Sequence, residues 1–232
     1  MELNILYLTA ASIGFVHTLI GPDHYLPFIM VGKARSWSFQ KTIFITILCG
    51  VGHVLGSVIL GLIGIALGIT VGFLEEIESV RGDIASWLLI GFGIAYGSWG
   101  LRIGFRAKKH SHGHVHNEET HHHSHHHLGR HTHIHGNEKS VTPWALFVIF
   151  VLGPCEPLIP VLMYPAAQGD WWTLVVVTLV FGVITVATMT LVVIVVFKKL
   201  VNLQMGFLEK YSHALAGIII AISGIAIKLM GI

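Results

Sequence analysis

HTLIGPDHYLPF, residues 17–28, and FVLGPCEPLIPVL, residues 150–162, decide how this chain is built. Each lies in an apolar stretch and breaks at Gly-Pro before two polar residues, as Gly21-Pro22-Asp23-His24 and Gly153-Pro154-Cys155-Glu156. Proline removes a backbone donor and glycine lets the chain turn, so neither helix is expected to run straight through. Ionisable groups at membrane depth cost about 2.5–3.5 kcal/mol each on insertion scales, which marks both breaks as a functional site by default.

Working outward, 53% of the residues are hydrophobic and 11% are charged, against about 25% charged in a soluble domain. This composition predicts an all-α integral membrane protein. Six apolar stretches, at 3–31, 42–73, 84–105, 142–168, 172–197 and 211–231, each reach the roughly 20 residues a helix needs to span the hydrocarbon. Met1–Asn4 carries no basic run, so the first stretch is expected to be retained rather than cleaved as a signal peptide. Lys33, Arg35 and Lys41, then Arg106, Lys108, Lys109, Arg130 and Lys139, then Lys198, Lys199 and Lys210 occupy alternate connections. The opposite connections hold Glu75, Glu76, Glu78, Asp83 and Asp170 with Arg81. The positive-inside rule then puts the basic loops in the cytoplasm and both termini outside, in a multi-pass protein of the cell membrane.

The two breaks lie 132 residues apart (153 − 21). The same offset relates Gly21 to Gly153, Pro22 to Pro154, Leu26 to Leu158 and Gly50 to Gly182, while Pro27 falls one residue short of Pro160. Three spans per half make the halves enter the membrane in opposite directions, the inverted repeat of many secondary transporters. The expected organisation is a first three-helix repeat at 1–105, a loop at 106–140 and a second three-helix repeat at 141–232, with helices 1 and 4 broken.

The loop carries His110, His112, His114, His116, His121, His122, His123, His125, His126, His127, His131, His133 and His135, which is 13 of the 17 histidines. Its polarity predicts disorder, and its imidazoles suit an accessory store for a transition-metal ion. A pH-responsive linker and a plain spacer are the competing readings.

Four histidines remain. His17, His24 and His53 fall inside spans 1 and 2, and His213 near the start of span 6. A continuous helix would hold His17 and His24 about 10.5 Å apart along its axis, too far for one ion with metal–nitrogen distances near 2.0–2.1 Å. The Gly-Pro break returns residue 24 toward residue 17. His53, beside Gly50 and Gly52, approaches from the next span. With Asp23, and with Cys155 and Glu156 from the second half, these residues form the expected metal site: His17, Asp23, His24, His53, Cys155 and Glu156.

The string His17-x5-Asp23-His24, the GPDH/GPCE pair and the His-rich central loop resemble the nickel/cobalt transporter superfamily. That group includes six-span efflux and urease-accessory-type membrane proteins, related to sulfite exporter and thiol-reductant transporter folds. The resemblance implies secondary transport of Ni²⁺ or Co²⁺, with Zn²⁺ a further candidate, and His17, Asp23 and His24 as ligands. The spacer is one residue longer than the family's pattern. A cytoplasmic store favours export, and a cytosolic metal donor or acceptor is a further expected partner beside the lipid bilayer. The paired Gly-Pro breaks also resemble carriers of reducing equivalents with paired Pro-Cys motifs, which makes a thiol relay through Cys155 the main rival, with export of a sulfite-type anion behind it. Asp23 stands where a symmetric thiol would be, leaving Cys49 as the other cysteine. Walker-type glycine loops and a nucleophile elbow are absent from the sequence, and no enzyme, prosthetic group or nucleic-acid partner is expected.

Overall fold

The computed structural model describes residues 2–106, 111–116, 119–124, 141–201 and 206–230. The elements run α1 (Glu2–Ile20), a 3-10 turn (Pro22–His24), α2 (Leu26–Ala34), α3 (Phe39–Ala66) and α4 (Val71–Arg106). After β1 (Ser111–His116) and β2 (Glu119–Ser124) come α5 (Val141–Leu152), α6 (Leu158–Ala167), α7 (Trp171–Val201), a second 3-10 turn (Gly206–Tyr211) and α8 (Ser212–Met230). The membrane part is all-helical. Among the described residues, five helices are long and apolar enough to cross a membrane, while α5 and α6 are shorter apolar helices.

Both Gly-Pro motifs interrupt their helices. At the first, the Gly21 N–H still donates to His17 O (3.1 Å), and the turn is then carried by His24 N to Gly21 O (3.2 Å) and Tyr25 N to Pro22 O (3.4 Å). At the second, Gly153 N donates to Ile149 O (2.9 Å), and Leu158 N to Cys155 O (2.9 Å) restarts the chain as α6. Apolar surroundings demand such local repair, because each unsatisfied backbone group would cost several kcal/mol.

Element ends recur at the same offset as the motifs. α1 ends at Ile20 and α5 at Leu152, α2 starts at Leu26 and α6 at Leu158, and α3 starts at Phe39 and α7 at Trp171. Their caps correspond too. The Ser38 side chain accepts from Lys41 N (3.2 Å) ahead of α3, and the Asp170 carboxylate accepts from Thr173 N (3.0 Å) ahead of α7. Hydrogen bonds from the Thr173 hydroxyl and backbone hold the Asp170 carboxyl below its ordinary range. Packing is exchanged between the halves: α1 lies on α7, as α5 lies on α3.

The broadest helix contact is α4 against α8. Gly93, Gly97 and Gly100 line it on α4, and Gly217 faces them from α8, close enough that a Cβ on Gly93 would stand 2.7 Å from Gly217 O. Small residues let the two backbones touch. The remaining core falls in two clusters, one around Phe28, Leu146, Phe150 and Met189, the other around Leu158, Leu162, Val177 and Phe181.

One expectation changes. Residues 74–83, read as an outer connection, are helical and belong to α4, whose 36 residues extend about 54 Å. Glu and Arg are good helix formers, and nothing in Glu75–Arg81 stops the helix. Within the His-rich segment, residues 111–116 and 119–124 pair as an antiparallel ribbon, with His112 opposite His123 and His114 opposite His121. Alternating His-x-His spacing is compatible with a strand's period of two.

Candidate functional site

Three imidazoles from three elements converge beside the first break. His17 sits in the last turn of α1, His24 ends the 3-10 turn, and His53 comes from α3. Ring centroids are 4.9 Å apart for His17 and His24, 5.0 Å for His24 and His53, and 6.4 Å for His17 and His53. The break thus does what the sequence reading required of it, folding residue 24 back to residue 17. Gly21 makes the room, since a Cβ there would lie 2.9 Å from Asp23 Oδ1 and press directly on the His24 ring. Tyr25 holds the turn by donating its hydroxyl to Leu19 O (3.3 Å).

Backbone carbonyls set how these rings are turned. His24 Nδ1 lies 3.2 Å from Gly21 O and 3.2 Å from Asp23 Oδ1, while His53 Nδ1 lies 3.3 Å from Phe150 O. A carbonyl only accepts, so Nδ1 carries the hydrogen in both rings and Nε2 carries the lone pair. His17, His24 and His53 each have a buried Nε2 with no hydrogen-bond partner.

The second break completes the site. Cys155 is fully buried, and one ligand atom from each of His17, His53 and Cys155 lies within 4.8 Å of the others. Glu156 lines a cavity with His17, Asp23, His24 and His53, but stands outside that three-atom set. The structure therefore brings together His17, Asp23, His24, His53 and Cys155, with Glu156 on the wall. His213 is elsewhere, 2.7 Å from the Tyr96 hydroxyl. Of the loop histidines proposed as an accessory store, His110, His125, His126, His127, His131, His133 and His135 lie outside the described residues; the others are described as ribbon backbone.

Sequence reasoning missed a second layer. Glu78 is fully buried and pairs with Arg81. Its carboxylate accepts from Cys155 N (3.0 Å) and from the Ser57 hydroxyl (3.0 Å). Arg81 Nη2 donates to Val151 O (2.9 Å) and Gly153 O (3.3 Å). The carbonyls left open at the end of α5 and the N–H of Cys155 are thereby satisfied from α4 and α3, which is how irregular backbone survives in apolar surroundings. Two signals pointed there: Glu78 and Arg81 share a helix face at i, i+3, and Ser57 follows His53 by one turn.

A Cβ on Gly21 has no free space, so Gly21→Ala should displace Asp23 and His24 and cost about 1–3 kcal/mol as overpacking. Gly72 has nothing within 4 Å, and Gly72→Ala serves as the control. A thermal-shift comparison in detergent checks this, and equal unfolding temperatures for the two variants would refute the steric assignment.

No curated protein and no solved structure matches this chain. A family model, described as the cytochrome c biogenesis protein transmembrane region, matches residues 26–226. That finding overturns the nickel/cobalt superfamily assignment, for which no family model matched. Of the features that carried the resemblance, His17-x5-Asp23-His24 lies N-terminal to the matched region, while Gly153-Pro154-Cys155-Glu156 and the His-rich loop lie inside it. The match also moves the thiol relay ahead of metal transport and lends no support to nickel, cobalt or another metal ion as the partner. With 201 of its 232 residues inside the match (226 − 26 + 1), the chain belongs to the family of the cytochrome c biogenesis protein transmembrane region.

Proposed function

We propose that this protein carries reducing equivalents across the membrane, with Cys155 as the thiol that receives and passes them. The observation that carries the reading is a fully buried cysteine at the break of α5 and α6, in a chain of this family. Both cysteines are free thiols. Cys49 precedes His53 by one turn of α3, about 6 Å along the axis, and His53 reaches Cys155. The reading requires a motion of α5 and α6 against α3 that brings the two Cα atoms within about 7 Å, the reach of a disulfide.

The cycle balances as two thiol exchanges. The Cys49/Cys155 dithiol attacks a partner disulfide on one side, passing through a mixed disulfide at Cys155. The partner leaves as two thiols and the carrier as the Cys49–Cys155 disulfide. A dithiol on the other side reduces that disulfide and is itself oxidised. The imidazoles of His17 and His53 are placed to take the thiol proton. Neither cysteine is exposed in this state, so access must alternate. Two inverted three-helix repeats with broken helices, supported by the 132-residue offset of motifs, caps and helix ends, supply the moving halves. The basic connections orient the carrier with both termini outside and the His-rich loop in the cytoplasm of a cell-membrane protein.

Thiol trapping tests the reading. Oxidation of the purified full chain with a disulfide donor should produce a Cys49–Cys155 disulfide that a dithiol reverses, seen by mass spectrometry after acid quench and alkylation. Cys155→Ser and Cys49→Ser should each abolish transfer in proteoliposomes holding a dithiol on one side and a disulfide on the other. Persistent transfer in Cys155→Ser would overturn the proposal.

A further inference from the structure

We infer that His17, His53 and Cys155 form a binding site for a thiophilic d10 metal ion, a class to which Cu(I) and Zn(II) belong. The donor set is the first argument. Thiolate and imidazole together select such ions over hard cations, which prefer all-oxygen sites. Ions with metal–nitrogen distances near 2.0 Å and metal–sulfur near 2.3 Å hold their ligand atoms about 3.5–3.8 Å apart. The three atoms lie within 4.8 Å of one another, so they need to contract by up to about 1.3 Å to meet those distances.

The second argument is independent of the cysteine. His53 is 2% exposed and His24 3% exposed, yet both leave Nε2 without a partner and face the same cavity. Buried polar atoms are normally satisfied, and each exception calls for a reason. Their opposite nitrogens are fixed by Phe150 O and by Gly21 O with Asp23. That is the outer-sphere pattern that sets the tautomer of metal-binding histidines, and it leaves Nε2 as the donor. His24 stands at the edge of the three-atom set, with Asp23 behind it, as an available fourth ligand.

Charge separates the two ions. Binding exchanges the Cys155 thiol proton for the metal, which leaves Cu(I) with one thiolate and two neutral imidazoles as a neutral three-ligand centre. Zn(II) needs a fourth ligand and a second negative charge, which His24 and Asp23 supply. In either case the sulfur that holds the ion is unable to form a disulfide, so occupancy and oxidation of Cys155 exclude one another. The binding site does not rest on the relay and stands or falls separately from it.

X-ray absorption at the metal edge on the purified full chain tests this, with one equivalent of Cu(I) under anaerobic conditions in one arm and one equivalent of Zn(II) in the other. The His-rich segment 106–140 contains neither Cys nor Met, so a sulfur neighbour distinguishes the membrane site from the loop. One sulfur with two or three imidazole nitrogens is expected for at least one ion, lost in Cys155→Ser and kept in Cys49→Ser. Asp23→Asn should weaken competition against a chelator about 10–100-fold, as outer-sphere changes do, while leaving the sulfur in place. A nitrogen- and oxygen-only shell for both ions, or sulfur that persists in Cys155→Ser, would overturn the assignment. Disulfide trapping of the same samples reports on the relay independently.

Discussion

Arg81→Met should lower the apparent unfolding temperature of the purified protein by roughly 6–20 °C, the equivalent of about 3–5 kcal/mol. Glu78 is fully buried and its carboxylate already accepts from Cys155 N and Ser57. Removing the guanidinium leaves that charge without a counter-ion, and also strips donors from Val151 O and Gly153 O. Breaking a buried pair from one side is far costlier than deleting both charges. The double variant Glu78→Gln/Arg81→Met should therefore recover at least half of the loss, since glutamine keeps an acceptor for Cys155 N. Thermal-shift measurements in one detergent, with size-exclusion profiles as a check on folding, decide it. If the single variant stays within about 2 °C of the parent, the pair does not brace the second break.

Gly217→Leu is expected to be at least as damaging, by a different route. The α4 and α8 backbones meet where Gly217 opposes Gly93 and Gly97, and a Cβ at 217 would overlap Gly97 and stand 2.5 Å from Gly93 O. No rotamer relieves a clash between a side chain and a backbone, so the helices must separate along the broadest interface of the fold. An overpacking penalty of about 3 kcal/mol or more corresponds to a drop of roughly 6–12 °C, or to loss of the monodisperse species altogether. Gly91 lies on the same helix with nothing within 4 Å, and Gly91→Leu should leave the profile unchanged. Equal behaviour of the two variants would show that α4 and α8 do not rely on this contact.

The relation between these regions explains why a small set of polar groups is tolerated so deep in the chain. Glu78, Arg81 and Ser57 immobilise the second break, and Asp23, Tyr25 and Gly21 immobilise the first. Between them stand the reactive groups, three imidazoles and a thiol. Braces fixed to α3 and α4 hold Cys155 by its own backbone N–H. On the proposed relay, the stability variants should therefore also change the reactivity of Cys155.

Much of this was legible in the sequence because its causes are local. Proline and glycine act on the residues beside them, so the breaks at 21–22 and 153–154 follow from chemistry within a few positions. The apolar runs announce the helices, and the gathering of His17 with His24 follows from the first break. The convergence of His53 and Cys155 was argued from small neighbours and from the offset between halves. Glu78 and Arg81 were not legible in the same way. A charged stretch beside an apolar one reads as a connection when its partner is unseen, and their partners are the carbonyls of residues 151 and 153, some 70 positions later (151 − 81). The family was not legible for a related reason: broken Gly-Pro helices and a His-rich loop suit more than one kind of membrane carrier, and the pattern that separates them is spread over residues 26–226.

By itself, then, the sequence determined an all-helical membrane chain, two broken helices, and the presence of His, Asp, Cys and Glu at those breaks, because each is a consequence of hydropathy or of backbone chemistry at neighbouring residues. Only the tertiary structure decided which of those groups meet, which nitrogen of each imidazole is left open, and that an ion pair from the supposed outer connection reaches in to hold Cys155. Burial of a charge and orientation of a ring depend on what is packed against them, and packing joins residues that the chain keeps far apart.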